Sequence, residues 1–586
     1  MDMQVKIITS SDKINIEQSF KVSAGPGAGK THWLVNHMKQ VLVDSKRLGS
    51  YRKIACITYT NTAVNTISNR LAGSGDRVEV STIHSFMYNN IVKPYISFIA
   101  DKYEFNAAYM DGHDDHYISR SNLKEWIDSH PNLSQLRHPY LRNQLLRLEG
   151  NLKALGNWMS SIHYKFNGQD LEISIDNSKA FNKESSTRLA KSACLDKLAP
   201  AIEDYKRIFW RQGILHHDDV LFFGYQLLKE YPFILTVLQA KFPYFFIDEF
   251  QDTSPIQTAV IKLLGQKETV IGIIGDKAQA IYSFQGTSSI DFERFSLPNQ
   301  QHYAIEDNRR STIQIVNVLN HIRKDLQQKP LLMENGELPM LLVGSREEAF
   351  SYAKAQCGSE TLITLSRDNI MVNAVKRLYN AAIPVNNLLD ELFAKDNPKR
   401  VKIMYKCMKA VEFGRENRFK EAIKEMEKIN SDIADKLIRR KTAFKHLSLL
   451  LTNYRLFKDA KLIIFYELVK SQIRPDITTL SKGAIKTFYE QHTFAQIVLF
   501  LKDNDEILDC RTIHKAKGDE FNNVFITGTK EVEVNYLLSP NLTVEEHRIR
   551  YVAFSRAKQK LFINIPALTV QEEEGLKILF EIKRDL

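Results

Sequence analysis

Cysteine is scarce in this chain and widely scattered. Its five cysteines (Cys56, Cys194, Cys357, Cys407 and Cys510) include no Cys-x-x-Cys pair. That spacing argues against zinc or iron–sulfur sites and against a disulfide framework. Long hydrophobic runs are missing too: there is no stretch of about eighteen apolar residues that could cross a membrane. Met1 to Lys13 is too short and mixed for a secretory signal. These absences predict a cytoplasmic protein with no membrane partner. Internal repeats and low-complexity linkers are also lacking.

What is present is a globular composition, 44% hydrophobic, over 586 residues, far more than one ordinary domain. A net charge of +11 and a pI near 9.0 suit an anionic polymer as partner.

The sharpest local signal is Ala24-Gly25-Pro26-Gly27-Ala28-Gly29-Lys30-Thr31. Three glycines let the backbone curl until several N–H groups face one phosphate. In that pattern Lys30 reaches the β- and γ-phosphates of a nucleotide, and the Thr31 hydroxyl holds Mg²⁺. A helix from His32 toward Met38 turns its positive end to the same anion. Ala24 stands where the strict pattern has glycine.

A second signal is Tyr244-Phe245-Phe246-Ile247-Asp248-Glu249-Phe250-Gln251-Asp252. An apolar run ending in acids reads as a buried parallel strand with the acids at its carboxyl end, the edge where ligands bind in open α/β sheets. Asp248 is expected to complete the Mg²⁺ shell, and Glu249 to orient or deprotonate an attacking water. Alone, the run reads equally as a strand followed by a merely solvated acidic turn; its pairing with the loop at Lys30 favours the metal- and water-binding acids. A third run, Val270 to Asp276, continues through Lys277-Ala278-Gln279-Ala280-Ile281-Tyr282-Ser283-Phe284-Gln285-Gly286. Gln279 is expected to hydrogen-bond a γ-phosphate or its attacking water. Tyr282 and Phe284 point the same way in an extended chain and can stack bases at about 1–3 kcal/mol each. By themselves two such aromatics read more readily as core.

Further segments follow in a fixed order: Ile57–Ala63, Ser81–Phe86, Leu215–Leu221, Asp307–Thr312, Thr512–Phe521 and Glu545–Ala557. With them the chain resembles a superfamily-one helicase of the UvrD/PcrA/Rep type, from about Phe20 to Ile565. The resemblance implies ATP and Mg²⁺ as cofactors, with Ala24 through Thr31, Asp248 and Glu520 at the nucleotide, Glu520 being at its ribose. It places the two arginine fingers at Arg310 and Arg556. It puts Tyr59, Thr60, Asn61, Thr82, His84, Tyr282, Phe284, Thr512 and His514 against single-stranded DNA. It also implies three-prime to five-prime travel on single strands and single/double-strand junctions. Some positions depart from the family: Phe284 replaces Trp, Gln285 and Arg309 replace Arg and Tyr, and Thr62 replaces Lys. Asn15 and Gln18 resemble the adenine-reading motif, but Gln18 lies close to Phe20.

The implied fold is α/β: two RecA-like parallel-sheet cores, each carrying a mainly helical insertion. The first core spans 1–91 and 201–291, with an insert at 92–200 containing a helix-like stretch from Leu141 to Trp158. The second spans 292–374 and 505–586, with an insert at 375–504. On this division Arg310, Glu520 and Arg556 belong to the second core, so hydrolysis requires both cores to close on one ATP. In the second insert Phe419, Ile423, Met426, Ile429, Ile433 and Leu437 recur at helical steps. Their charged neighbours read as a solvated face in preference to a DNA-binding stripe.

Two functional classes remain open at this stage. One is an ATP-driven DNA helicase or translocase. The other is a nucleotide-gated sensor of DNA ends that regulates a separate nuclease subunit, suggested by Gln285, Thr62 and the compact second insert. RNA as the track is a third possibility, because charge and stacking do not distinguish the two sugars.

Overall fold

The computed structural model describes residues 5–71, 73, 76–110, 112–114, 120–129, 156–167, 170–182, 187–188, 198–282, 289–332, 334–367, 388–430, 433, 435–480, 483–501, 509–528 and 530–586. The chain divides into two compact units, one of Met1–Asn335 with Pro540–Ser555 and the other of Gly336–Ser539 with Arg556–Leu586.

The first unit is built on a seven-stranded sheet. Its strands are β1 (Lys6–Ile8), β2 (Phe20–Ala24), β3 (Ile54–Thr58), β4 (Val78–Thr82), β5 (Tyr244–Ile247), β6 (Val270–Gly275) and β7 (Gln301–Ile305). They lie in the order β1-β7-β2-β6-β5-β3-β4, every neighbouring pair parallel. The central strands are short apolar runs buried along their whole length, as a sheet covered on both faces requires. Because all run the same way, the loop after β2, the acids after β5 and the Asp276 turn after β6 share one edge.

Four helices matter below: α1 (Lys30–Asp44), α2 (His217–Glu230), α3 (Ile313–Ile322) and α4 (Glu545–Phe554). The sequence division ended the first core at 291, but β7 pairs with β2 and extends this sheet to Ile305. The segment through Asn335 and helix α4 also belong to the first unit.

The first insert adds strands to helices such as Arg120–Ser129. Residues 141–155 of the helix-like stretch lie outside the described residues. His163–Asn167 and Asp170–Ser174 form an antiparallel pair. The reason is period-two alternation: Tyr164 and Phe166 face Ile173 and Leu171, with Lys165 and Glu172 between them. This pair is tied to α2 through a buried polar knot. Asp219 accepts from Tyr164 Oη at 2.6 Å, Trp210 Nε1 at 3.1 Å and the His216 N–H at 3.0 Å. Lys206 Nζ, itself buried, lies 2.8 Å away from the same carboxylate.

The second unit carries a six-stranded sheet, also parallel throughout. Its strands are β8 (Met340–Val343), β9 (Leu362–Ser366), β10 (Cys510–Thr512), β11 (Phe521–Thr527), β12 (Ala557–Ile565) and β13 (Glu581–Lys583), in the order β10-β9-β11-β12-β8-β13. Its insert is helical from Leu388 to Leu501 among the described residues and has a hydrophobic core of its own. The periodic run expected from Phe419 to Leu437 breaks: one helix ends at Ile429 and the next starts at Lys436, leaving Leu437 exposed. Arg400 holds the return loop, donating to Asp396 Oδ1 (2.7 Å) and the Thr478 carbonyl (2.9 Å).

The Lys206–Asp219 pair gives a direct test. Removing one partner of a buried ion pair strands the other, so Asp219→Asn is expected to lower unfolding stability by about 3–5 kcal/mol. Urea unfolding followed by tryptophan fluorescence measures this; a change within noise would show that the knot does not hold the insert.

Candidate functional site

The phosphate loop bridges β2 and α1. Gly27 and Gly29 adopt φ of 72° and 80°, a region that side chains resist, and α1 begins directly after them. The loop's carbonyls are held from outside. Gln328 Nε2 and Asn308 Nδ2 donate to the Pro26 carbonyl at 2.8 and 3.2 Å, and the Arg309 N–H donates to the Gly27 carbonyl at 2.9 Å. Approach is so close that a Cβ on Gly25 would lie 2.5 Å from Gln328 Nε2, and one on Gly27 would lie 2.8 Å from Arg310 Cβ.

Lys30 Nζ lies 3.9 Å from Glu249 Oε1 and 3.4 Å from the Ala24 carbonyl. The Thr31 hydroxyl donates to Asp248 Oδ2 at 3.3 Å. Asp248 is buried, and its carboxyl is pushed up to about 7 by that burial and then by neighbouring Glu249, with Lys30 opposing. Glu249 has a left-handed backbone, φ 53°, uncommon for a residue with a side chain. Its Oε2 accepts from Gln251 Nε2 at 2.5 Å.

This donor set fits the implied cofactor. A buried carboxylate short of positive charge, beside a hydroxyl, suits a hard divalent cation, and the glycine nest above Lys30 suits an anion.

Gln279 is buried beside Asp276, to which its Nε2 donates at 2.7 Å. Arg310 corrects an expectation: it lies in the first unit, with the loop, not with the second core. Its backbone N–H donates to Asn308 Oδ1 and its Nη1 to the Ser555 carbonyl, both at 2.9 Å.

Among the expected DNA contacts, Tyr59 and Tyr282 come together, rings stacked at 5.0 Å and 21°. Phe284 lies outside the described residues. Thr60 caps the helix Asn61–Arg70, accepting from the Ala63 N–H at 3.1 Å, and Thr82 caps the next, accepting from the Ser85 N–H at 3.3 Å. His84 is almost buried against His217 and His113, ring centroids 5.7 and 6.4 Å away. Burial, then those two rings, hold it down to about 4, so it is neutral at pH 7.

Within the second unit, Arg556 is buried and its Nη1 donates to the Asp519 carbonyl at 3.1 Å. Glu520 is exposed and pairs with Lys558 at 2.7 Å. Thr512 ends β10, its hydroxyl accepting from the Lys515 N–H at 3.4 Å, and half-buried His514 lies in the turn that follows.

Asn308, Gln328 and Gln251 carry no expectation from the sequence. Gln251 stands two residues past Glu249. Gln328 gains meaning only from its partner Pro26, far along the chain.

The family model for the UvrD/REP helicase N-terminal domain matches residues 8–300, and that for the UvrD-like helicase C-terminal domain matches 359–566. The chain therefore belongs to the UvrD/Rep helicases, superfamily-one enzymes of the ATP-dependent DNA helicase class. Among curated relatives, the putative ATP-dependent DNA helicase YjcD of Bacillus subtilis is 22% identical over 96% of this chain and 78% of its own length. The ATP-dependent DNA helicase PcrA of Staphylococcus aureus is 23% identical over 92% and 80%. Gabija protein GajB of Bacillus cereus is 26% identical over 54% of this chain, a match spanning about half (48%) of GajB.

Asp248→Asn removes a buried charge. A carboxyl raised above its unfolded value of about 4 destabilises the fold once pH exceeds about 7, and the penalty fades as pH falls toward 4. At pH 8, without nucleotide or Mg²⁺, the variant is expected to be more stable by about 2–4 kcal/mol, and the gain should shrink at pH 5. Thermal melts at both pH values check this, with an equal gain at each contradicting the assignment.

Proposed function

We propose that this protein hydrolyses ATP with Mg²⁺ and uses the turnover to move three-prime to five-prime along single-stranded DNA, opening junctions ahead of it. The observation that carries the reading is the sharing of one sheet edge. The loop at Lys30, the acids Asp248 and Glu249, and Gln279 lie there together, and the aromatic pair Tyr59–Tyr282 extends from the ends of β3 and the Asp276 turn.

In this reading the backbone N–H groups of the Gly25–Thr31 loop, Pro26 excepted, and Lys30 bind the phosphates. Thr31 and Asp248 are the residues to hold Mg²⁺, which neutralises charge on phosphate oxygens. Glu249, its Oε2 fixed by Gln251, orients the attacking water and accepts its proton. Gln279 positions the same water. Arg310 meets negative charge that develops on the γ-phosphoryl. Roles for Arg556 and Glu520 in turnover rest on the motif match. The Tyr59–Tyr282 pair supplies ring faces for bases, beside Asn61 and the two capping threonines.

The decisive assay compares ATPase rate without polymer, with single-stranded DNA and with single-stranded RNA. DNA is expected to stimulate turnover, and Lys30→Ala to reduce it by about 100-fold or more. A rate indifferent to DNA counts against the motor. Gln285 and Thr62 favour one second reading, a nucleotide-gated DNA-end sensor serving a partner nuclease. Strand displacement by the isolated chain excludes it.

A further inference from the structure

Beyond β6, three groups converge on the buried carboxylate of Asp276. The Ala278 N–H donates to Oδ1 at 3.0 Å, Gln279 Nε2 donates to Oδ2 at 2.7 Å, and Arg323 Nη1 stands 2.7 Å from Oδ1. The Asp276 N–H in turn donates to Gln251 Oε1 at 2.9 Å, and Gln251 Nε2 reaches Glu249 Oε2 at 2.5 Å. One chain of contacts thus joins Arg323, through Asp276, to both Gln279 and Glu249.

Arg323 follows α3 and is 2% exposed. Its Nε donates to Asp325 Oδ1 at 3.1 Å, and its guanidinium lies 6.0 Å from the centroid of the Tyr551 ring on α4. Helix α4 grips the same turn by a second route, Arg548 Nε donating to the Ala280 carbonyl at 2.6 Å. The turn from Asp276 to Ala280 is therefore fixed from outside by two arginines. Nothing in the motif series includes Arg323.

A buried ion pair is poor evidence for stability, because a well-packed apolar pair of equal volume often holds a fold as well. Orientation is what apolar groups cannot supply. With its Nε2 given to Asp276, the Gln279 amide plane follows the carboxylate, and the carboxylate is held by the charge of a guanidinium that Asp325 itself fixes through Nε and Nη2.

We propose that Arg323 is a positioning residue for ATP turnover: through Asp276 it fixes Gln279 and the turn leading to Tyr282. The proposal rests on the ATPase reading above. Nucleotide affinity comes from the Gly25–Thr31 loop, so loss of Arg323 acts on the turnover step and on its response to DNA.

The test is steady-state ATPase of the full chain, with and without single-stranded DNA, for wild type, Arg323→Lys, Arg323→Met and the double variant Arg323→Met/Asp276→Asn. Lysine keeps the charge but loses the fork. The double variant leaves no unpaired buried charge, which separates folding from positioning. For Arg323→Lys, KM for ATP is expected within about threefold of wild type while DNA-stimulated kcat falls about 10- to 100-fold. The double variant is expected to melt near wild type and still turn over slowly. Wild-type kcat and DNA stimulation in Arg323→Lys or in the folded double variant would overturn the proposal, as would a loss confined to KM. A wild-type chain without ATP turnover overturns the parent reading and this one together.

Discussion

Two adjacent carboxylates at the end of one buried strand set the terms for the first unit. β5 is apolar and covered on both faces, so Asp248 leaves it without bulk water around it, and its carboxyl is pushed up to about 7. Glu249 follows immediately, in a left-handed backbone conformation. Lys30 is near but not in tight contact, 3.9 Å away. At that separation one ammonium offsets two acids only in part. The neighbours respond by fixing orientation: Thr31 on one acid and Gln251 on the other. An edge so arranged favours a cation at Asp248 and an anion above Lys30, held in one place.

The loop above these acids depends on a second constraint. Its carbonyls, turned away from the inward N–H groups, need partners of their own where they are buried. Asn308, Arg309 and Gln328 take the Pro26 and Gly27 carbonyls, so a segment remote in sequence keeps the nest open. The glycines at 25 and 27 serve that contact as well as the anion, since a Cβ at either would collide with Gln328 or Arg310. Their presence is required by packing even before a nucleotide enters the account.

This dual origin explains what could be read from the sequence. Strands β5 and β6 are legible because four to six apolar residues end in an acid and the phosphate loop at Lys30 gives those acids a partner. Strand β7, Gln301–Ile305, mixes polar and apolar residues, and the core boundary was accordingly set before it. Arg310 falls past residue 291 in the chain, and sequence order carries no information about which sheet a motif folds against. The hairpin at Tyr164 was hidden by expectation of helix, though its alternation was there to be seen. Gln328 and Arg323 could not be singled out. Each is an ordinary polar residue until β2 or β6 is placed beside it.

Magnitude separates the contacts that shape the site from those that decorate the surface. An exposed pair such as Glu520–Lys558 contributes about 0–1 kcal/mol and yields readily to a ligand. The contacts around Asp276 are of another kind. Its carboxylate is shielded, so a neutral donor withdrawn costs about 1–3 kcal/mol and loss of the charged partner more. Seven residues separate the two ends of that turn, counting Asp276 and Tyr282 themselves. At one end stands Asp276, with Gln279 three residues on; at the other, a tyrosine stacked on Tyr59. Helix α4 bears on this short segment through Arg548 and Ala280, while Ser555, just past its other end, offers its carbonyl to Arg310. The acids and the aromatic pair are therefore joined by one short segment whose backbone is held by buried groups.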